Sequence, residues 1–528
     1  MTITQDPWET LHTSALLGTD RRPLPATALP LADAVDQGDP ATALLELAAL
    51  AAVRRRAGAL PVPAAEPPGP PAAEDTRPEL PEPAARRLAV LLSGRAGGSG
   101  GTLANLAELL PQWLSTARAR GLRPPAALIP GLLDAARARS ELRPDAVALA
   151  GPPGRWLAER NPDWRFVLRT TAPEVPQQPA DDRLWHEGLF AERVTHLTLL
   201  RRRDPAAGLE LLRGTWPTER AEDRLLFLDA LQDGLSPADE PFLEAALGDR
   251  SKNVRATAAE LLSTLPGSAL ARRMAERARA AVRLAGTGTH LLVTPPTECD
   301  ARMQRDGIAP KSPTGRGERA WWFGEVVAAA PLSLWPETTG LTPEQLLALR
   351  VGDSIDETSS SWADDLREAW ARAAVRQQDA GWARALLGPA PAPPGRGARA
   401  RAPRTTGAPA KLLAVLPPQE RAAWTAAFIT VHGLGEAFQL LGACATPWTP
   451  PLSTAVVSAL ARAASFGAYP WSHSGVLGMT ERALAPEAAA AVEELAAEAA
   501  PDSAWSETFA RLAGTLRFRA AMLAELAG

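Results

Sequence analysis

Apolar residues recur at three- and four-residue spacing along most of this chain, the pattern of helices that bury one face. Leu225, Leu228, Leu231 and Leu235 form one such stripe. Trp362, Leu366 and Trp370 form another at i, i+4 and i+8. Ala41 to Arg56 is Ala/Leu-rich and ends in an arginine run, which suits the negative end of a helix dipole. Thr102 to Arg118 and Pro124 to Arg139 are amphipathic. Start signals agree with the stripes. Ser236-Pro237-Ala238-Asp239 supplies an N-cap, a proline at the first position and an acid at the third, and Thr342-Pro343-Glu344-Gln345 repeats this with a capping-box glutamine. Strand-like alternation rich in Val, Ile, Tyr and Thr is nearly absent. The pattern predicts an all-α protein with little or no strand. Between Gly286 and Thr339, Pro295-Pro296, Gly307, Pro310, Pro313, Gly315 and Gly317 predict an irregular region.

Two proline-rich stretches interrupt the helices. Pro61 to Pro83 has little apolar bulk and predicts a semi-rigid, exposed connector; Gly388 to Ala410 behaves the same way but is basic. Gly94 to Gly101 predicts a flexible turn. The resulting organisation is a helical segment over 1–60, a linker over 61–84, helices over 85–180, paired helices over 181–285, the irregular Trp-containing region over 286–340, helices over 341–387, a linker over 388–410 and helices over 411–528.

The 528 residues include 51 prolines and 40 glycines, more than average but below the level of a low-complexity chain. Hydrophobic residues are 46%, enough for substantial cores. Lysine occurs only at 252, 311 and 411, so arginine carries nearly all the positive charge. The net charge of −4 argues against a protein dominated by nucleic-acid binding. Cys299 and Cys444, far apart, exclude a disulfide framework and suit a reducing cytoplasm. Met1 to Trp8 shows no signal-peptide pattern, and Ala41 to Val53 is too short to span a membrane. These features predict a cytoplasmic protein.

Between Asp181 and Val282 the helices pair. Asp204-Pro205 opens one helix and Asp249 another 45 residues on, with Leu209 and Val254 at the same offset. Asp249-Arg250-Ser251-Lys252-Asn253-Val254-Arg255, followed by Ala258, Leu261 and Leu262, resembles the inner helix of a HEAT repeat. That resemblance implies an Asp and an Arg that link successive repeats, and an α-solenoid of stacked helix pairs. Val254, Leu261 and Leu262 are then interior.

Three blocks together carry a wider resemblance. They are Ser14-Ala15-Leu16-Leu17-Gly18-Thr19-Asp20-Arg21, Gly151-Pro152-Pro153-Gly154-Arg155-Trp156-Leu157-Ala158-Glu159-Arg160-Asn161-Pro162-Asp163-Trp164, and Asp249 to Pro266. The chain resembles an uncharacterised bacterial family known as a domain of unknown function. Its members tend to be encoded near MoxR-type AAA ATPases, von Willebrand factor A-domain proteins and SWIM zinc-finger proteins. The resemblance implies no catalytic residues.

The chemical motifs are weak. Gly94–Gly101 lacks the Lys-Ser/Thr ending of a phosphate loop, and Gly286-Thr287-Gly288 and Gly433-Leu434-Gly435 lack the third glycine of a dinucleotide fingerprint. His12, His186, His196, His290, His432 and His473 show no paired metal-ligand spacing, and His290 with Cys299 would need further ligands. Trp471-Ser472-His473-Ser474-Gly475 lacks the first glycine and the preceding strand of a nucleophile elbow. Asp181-Asp182 and Asp364-Asp365 suit helix starts, and Gly18 suits a helix end. Arg396, Arg399, Arg401, Arg404 and Lys411 have no interleaved aromatics for base stacking. Trp321-Trp322-Phe323, in the irregular region, is a candidate partner anchor.

The expectation is a non-enzymatic helical scaffold or adaptor for protein partners, without cofactor or metal. A MoxR-type AAA ATPase or a von Willebrand A-domain protein is the partner class the resemblance points to. One alternative is an enzyme whose site gathers sequence-distant residues such as His186, His196 or His473 with carboxylates. Another is a weak nucleic-acid binder through the arginine-rich linker.

Overall fold

Helical spacing becomes helix almost throughout. Among the described residues are 27 α-helices and one three-stranded sheet. The computed structural model describes residues 7–21, 24, 35–36, 38–57, 70–93, 106–170, 182–285, 288–313, 315, 317–353, 362–392 and 409–527. Residues 61–69 of the first proline-rich stretch, 393–408 of the second, and the Gly94–Gly101 turn lie outside them. No helix among the described residues is long and apolar enough to cross a membrane. The chain divides into two units, residues 1–73 and 74–528.

In the first unit, helices Pro7–Leu17 and Pro40–Ala57 contribute Leu11, Ala43 and Leu47, with Val35, to a small core. Gly18 ends the first helix at φ +83°, and the Arg21 N–H donates to Gly18 O at 3.1 Å. The Gly18-Thr19-Asp20-Arg21 block is therefore a left-handed cap and turn, as its glycine predicts.

The second unit starts with an extended strap rather than an exposed connector. Leu80 is buried, and its N–H donates to Arg123 O at 2.9 Å. Further back the strap repairs a helix. Pro152 and Pro153 interrupt helix Arg143–Arg160 at Gly151, which adopts φ 52°. Neither proline has an N–H, so the carbonyls one turn earlier, Ala148 and Leu149, lose their helical donors. Arg77 supplies both: Nη1 donates to Ala148 O at 2.7 Å and Nη2 to Leu149 O at 2.9 Å. Asp75 holds the guanidinium through Nε at 2.9 Å and Nη2 at 2.6 Å. A Cβ on Gly151 would overlap Arg77 and Asp75. The linker composition conceals this because only two polar residues anchor it.

Helices between 82 and 170 then enclose a core of Leu88, Trp113, Leu114, Leu132, Leu133 and Ala146. Beyond residue 182, helix Ala221–Ala230 packs on both Phe190–Arg203 and Lys252–Ser263. Val254, Leu261 and Leu262 are buried, as the stripe predicts. Charged clasps tie these helices together. Arg224 pairs with Asp249, whose carboxylate also accepts from Ser251 N at 2.8 Å. Arg193 pairs with Glu219 and stacks on Trp185 and Phe227, with its guanidinium carbon 4.6 and 5.1 Å from the two ring centres. Arg201 is fully buried, and all five of its N–H groups are used. They donate to both Asp239 carboxylate oxygens at 2.8 and 3.0 Å, and to Pro205 O, Leu231 O and Asp233 O. Ser236 caps as predicted, but its N3 partner Asp239 also carries this ion pair.

The region expected to be irregular, 286–339, holds regular elements. Strand Val282–Leu284 pairs antiparallel with His290–Val293, which pairs parallel with Arg350–Asp353. Helix Glu318–Ala329 packs against both Ala269–Ala281 and Ala363–Arg376 and buries seven of its twelve residues. Proline and glycine punctuate the turns around these short elements rather than preventing them. Thr342 and Gln345 form the predicted capping box, and Asp364 and Asp365 lie in the first turn of Ala363–Arg376.

The C-terminal helix Ala504–Glu525 belongs to two cores. Trp505, Phe509, Leu512 and Leu516 join the large core of the later helices. Met522, with Leu526 just beyond the helix, joins the core of residues 80–167. Arg519, fully buried between them, donates to Gln112 Oε1 at 2.9 Å and Leu484 O at 2.6 Å. Burial pushes its guanidinium down to about 10, with Glu487 opposing.

Candidate functional site

The residues singled out from sequence have mostly internal duties. Trp321 and Trp322 are on helix Glu318–Ala329, not in a loop. Trp322 is buried and Trp321 half-buried against the main core. Their indole N–H groups donate to Ala309 O and Pro310 O, each at 3.1 Å, and so fasten the preceding loop to the helix. The partner-anchor expectation for Trp321 and Trp322 rested on consecutive aromatics in a loop, and that premise fails. The residue 151–164 block is also accounted for by folding. Besides the Arg77 repair, Asn161 Oδ1 accepts from Asp163 N at 3.0 Å, Pro162 opens the short helix, and Trp164 Nε1 donates to Asp134 Oδ1 at 2.9 Å.

Side chains with catalytic potential are scattered. His186 is exposed, while His196 and His290 are half-buried on a helix and a strand. His432 packs on Phe428 at 4.8 Å and His473 lies 6.3 Å from Trp505, measured between rings. Ser472 and His473 occupy a single turn, Pro470–His473, that leads into helix Ser474–Ala483. Gly433, at φ +78°, ends helix Pro418–His432. Burial pushes both the Cys299 and the Cys444 thiols up, which disfavours the reactive thiolate. Among the described residues no three His, Cys, Asp or Glu side chains gather closely enough to hold a metal ion. The arginine-rich residues 396–404 lie outside the described residues.

A different surface stands out, and local sequence builds it. Helix Pro450–Ser465 ends at Phe466. Gly467 follows at φ +75°. Its N–H donates to Ala464 O and that of Ala468 to Ala463 O, at 3.1 and 3.0 Å. This paired closure is a Schellman motif, and it requires a residue tolerant of positive φ at Gly467. Tyr469 precedes a proline and is extended, which sterics at X-Pro enforce. Pro470 then starts the turn that carries Trp471. The result projects Phe466, Tyr469 and Trp471, which are 86%, 60% and 64% exposed. The Tyr469 and Trp471 rings stack at 4.4 Å and 11°. Trp505 secures the loop from below, donating Nε1–H to Ala468 O at 2.5 Å.

Trp505 also lines a groove of about 570 Å³ beside this crest, together with Phe509, Leu495, Ala461 and Ser465. Its two charged lining residues are Arg462 and Glu498. Arg462 Nη2 donates to Ile429 O at 3.4 Å, and Glu498 makes no ion pair among the described residues. The crest was missed because aromatic residues suggest core wherever helices dominate. The available signal was Phe-Gly-Ala-Tyr-Pro-Trp, a cap and an X-Pro turn holding the chain's single tyrosine.

No curated protein and no solved structure matches the chain. A model of a family of unknown function, DUF5691, matches residues 10–526, nearly the whole chain, and the chain belongs to that family.

Proposed function

We propose that this protein is a non-enzymatic helical scaffold of HEAT-like helix pairs that holds protein partners. The exposed Phe466, Tyr469 and Trp471 crest beside an apolar groove carries the reading. Tyr and Trp are enriched among interface hot spots, and three large exposed aromatics in six residues are costly on a surface that is never covered. The scaffold half rests on helix Ala221–Ala230 packing on both Phe190–Arg203 and Lys252–Ser263, and on the Arg224–Asp249 clasp that ties it to the turn before Lys252–Ser263. MoxR-type ATPases and von Willebrand A-domain proteins are the first partners to examine, and a cytoplasmic location suits them. The test is binding of such purified partners to wild-type protein and to Trp471→Ala, with unfolding followed in parallel. Binding lost in the variant at an unchanged unfolding midpoint supports the proposal. Binding retained in Trp471→Ala removes the crest from it.

A further inference from the structure

We infer that the crest docks on a second copy of this chain, in a two-fold contact where each crest meets its mate. The inference rests on the partner-binding reading above and names the protein that covers the crest; other partners then meet a dimer. Residues 437–480 contain a single Asp, Glu, Lys or Arg, Arg462, in a chain whose residues are 22% charged. Phe438 starts the short helix Phe438–Gly442 and lies against the turn that follows the crest, since a Cβ on Gly475 would stand 3.0 Å from its ring. Phe438 is exposed and extends the aromatic surface of Phe466, Tyr469 and Trp471. The exposed residues beside them, Gln439, Ser465, Ser472 and Ser474, are neutral. Around a two-fold axis a surface meets its own image, so any charge near the axis would face a like charge. This surface has none. Charge depletion with aromatic enrichment is also the composition of the buried centre of homodimer interfaces. The rim points the same way. Arg462 and Glu498 line the groove beside the crest, both exposed, and neither makes an ion pair among the described residues. A partner of one charge would be attracted by one of them and repelled by the other. A second copy satisfies both, because in a two-fold contact Arg462 of each copy meets Glu498 of the other. An exposed aromatic surface also needs constant cover, and its own copy is always present in equal amount.

A surface of this size supports a weak dimer, with a dissociation constant on the order of 10 μM. The test is sedimentation equilibrium of the full chain over a concentration range that brackets this value. Wild type is expected to pass from monomer to dimer and to stop there, as a closed two-fold contact requires. Trp471→Ala and Tyr469→Ala each weaken the dimer more than about tenfold, because each substitution enters the contact twice. Arg462→Glu also weakens it, and adding Glu498→Arg restores it by exchanging the two charges. Well below the dissociation constant, wild type and all these variants unfold at the same midpoint, because the crest adds little to the fold of the free monomer. A monomer at every concentration, growth beyond the dimer, a dimer untouched by the crest substitutions, or a charge exchange that fails to restore association overturns the inference. The two readings fail separately. Purified partners that bind a chain which stays monomeric, and are lost on Trp471→Ala, sink this inference and leave the scaffold reading standing. A crest-dependent dimer that binds no partner leaves this inference standing and sinks the scaffold reading.

Discussion

Single residues explain why the chain tolerates so many prolines. Arg77 satisfies two carbonyls that Pro152 and Pro153 leave without donors, so Arg77→Ala exposes two buried acceptors at once. Each such loss costs about 1–3 kcal/mol, and the denaturation midpoint should fall accordingly. Asp75 anchors the arginine, and the Arg77 hydrogen bond holds its carboxyl below the usual range despite partial burial. A carboxylate depressed on folding stabilises the protein above its unfolded value of about 3.9, and that stability is lost as pH falls through the folded value. Acid unfolding curves should therefore show a smaller loss below pH 4 in Asp75→Asn than in wild type. Two buried arginines make a further contrast. Arg201 has a matched carboxylate, so Arg201→Met strands Asp239 and should cost about 3–5 kcal/mol. Arg519 has no ion-pair partner among the described residues and a guanidinium pushed down by burial. Arg519→Met removes a buried charge but strands Gln112 Oε1 and Leu484 O, so it should cost less than Arg201→Met in the same assay without being stabilising. Neither arginine was legible in the sequence, because an arginine in a helix looks solvated until its neighbours are known.

At the scale of elements, periodicity carried most of the reading. The stripe of Leu225, Leu228, Leu231 and Leu235 faces the main core, and the caps at Ser236 and Thr342 start helices where their hydroxyls predict. Local signals suffice there because a cap and a stripe each depend on residues within two turns. The three-stranded sheet was not legible. Its strands are three or four residues long, below any window in which alternation is visible, and the parallel pair joins residues 60 positions apart, His290 with Arg350. The Glu318–Ala329 helix was hidden by the turns that precede it. Leu261 offers a check on the paired helices. It is 4% exposed, so Leu261→Ala should lower stability by about 2–5 kcal/mol in chemical denaturation through lost burial and a cavity. A change below 1 kcal/mol would mean that the Lys252–Ser263 helix adjusts freely, unlike a member of a tightly stacked pair.

At the scale of the second unit, the C-terminal helix ties residues 80–167 to everything after them, through Met522 in one core and Phe509 in the other. Met522→Ala should cost about 2–5 kcal/mol, and amide exchange should show residues 82–170 opening before the later helices. This closure joins opposite ends of the unit, so no local pattern could reveal it. The partner surface escaped for a related reason. Exposure depends on what the fold leaves uncovered, and Trp471 became conspicuous only once Trp321 and Trp322 were seen to bond to Ala309 and Pro310. The most direct measurement is quantitative affinity isolation from native extract with wild type, Tyr469→Ala/Trp471→Ala and Trp321→Ala, alongside their unfolding midpoints. The account predicts a discrete protein set recovered by wild type and lost by Tyr469→Ala/Trp471→Ala at an unchanged midpoint, while Trp321→Ala lowers the midpoint. Recovery of the same set by the crest double variant, or a midpoint in that variant several degrees below wild type, would contradict it.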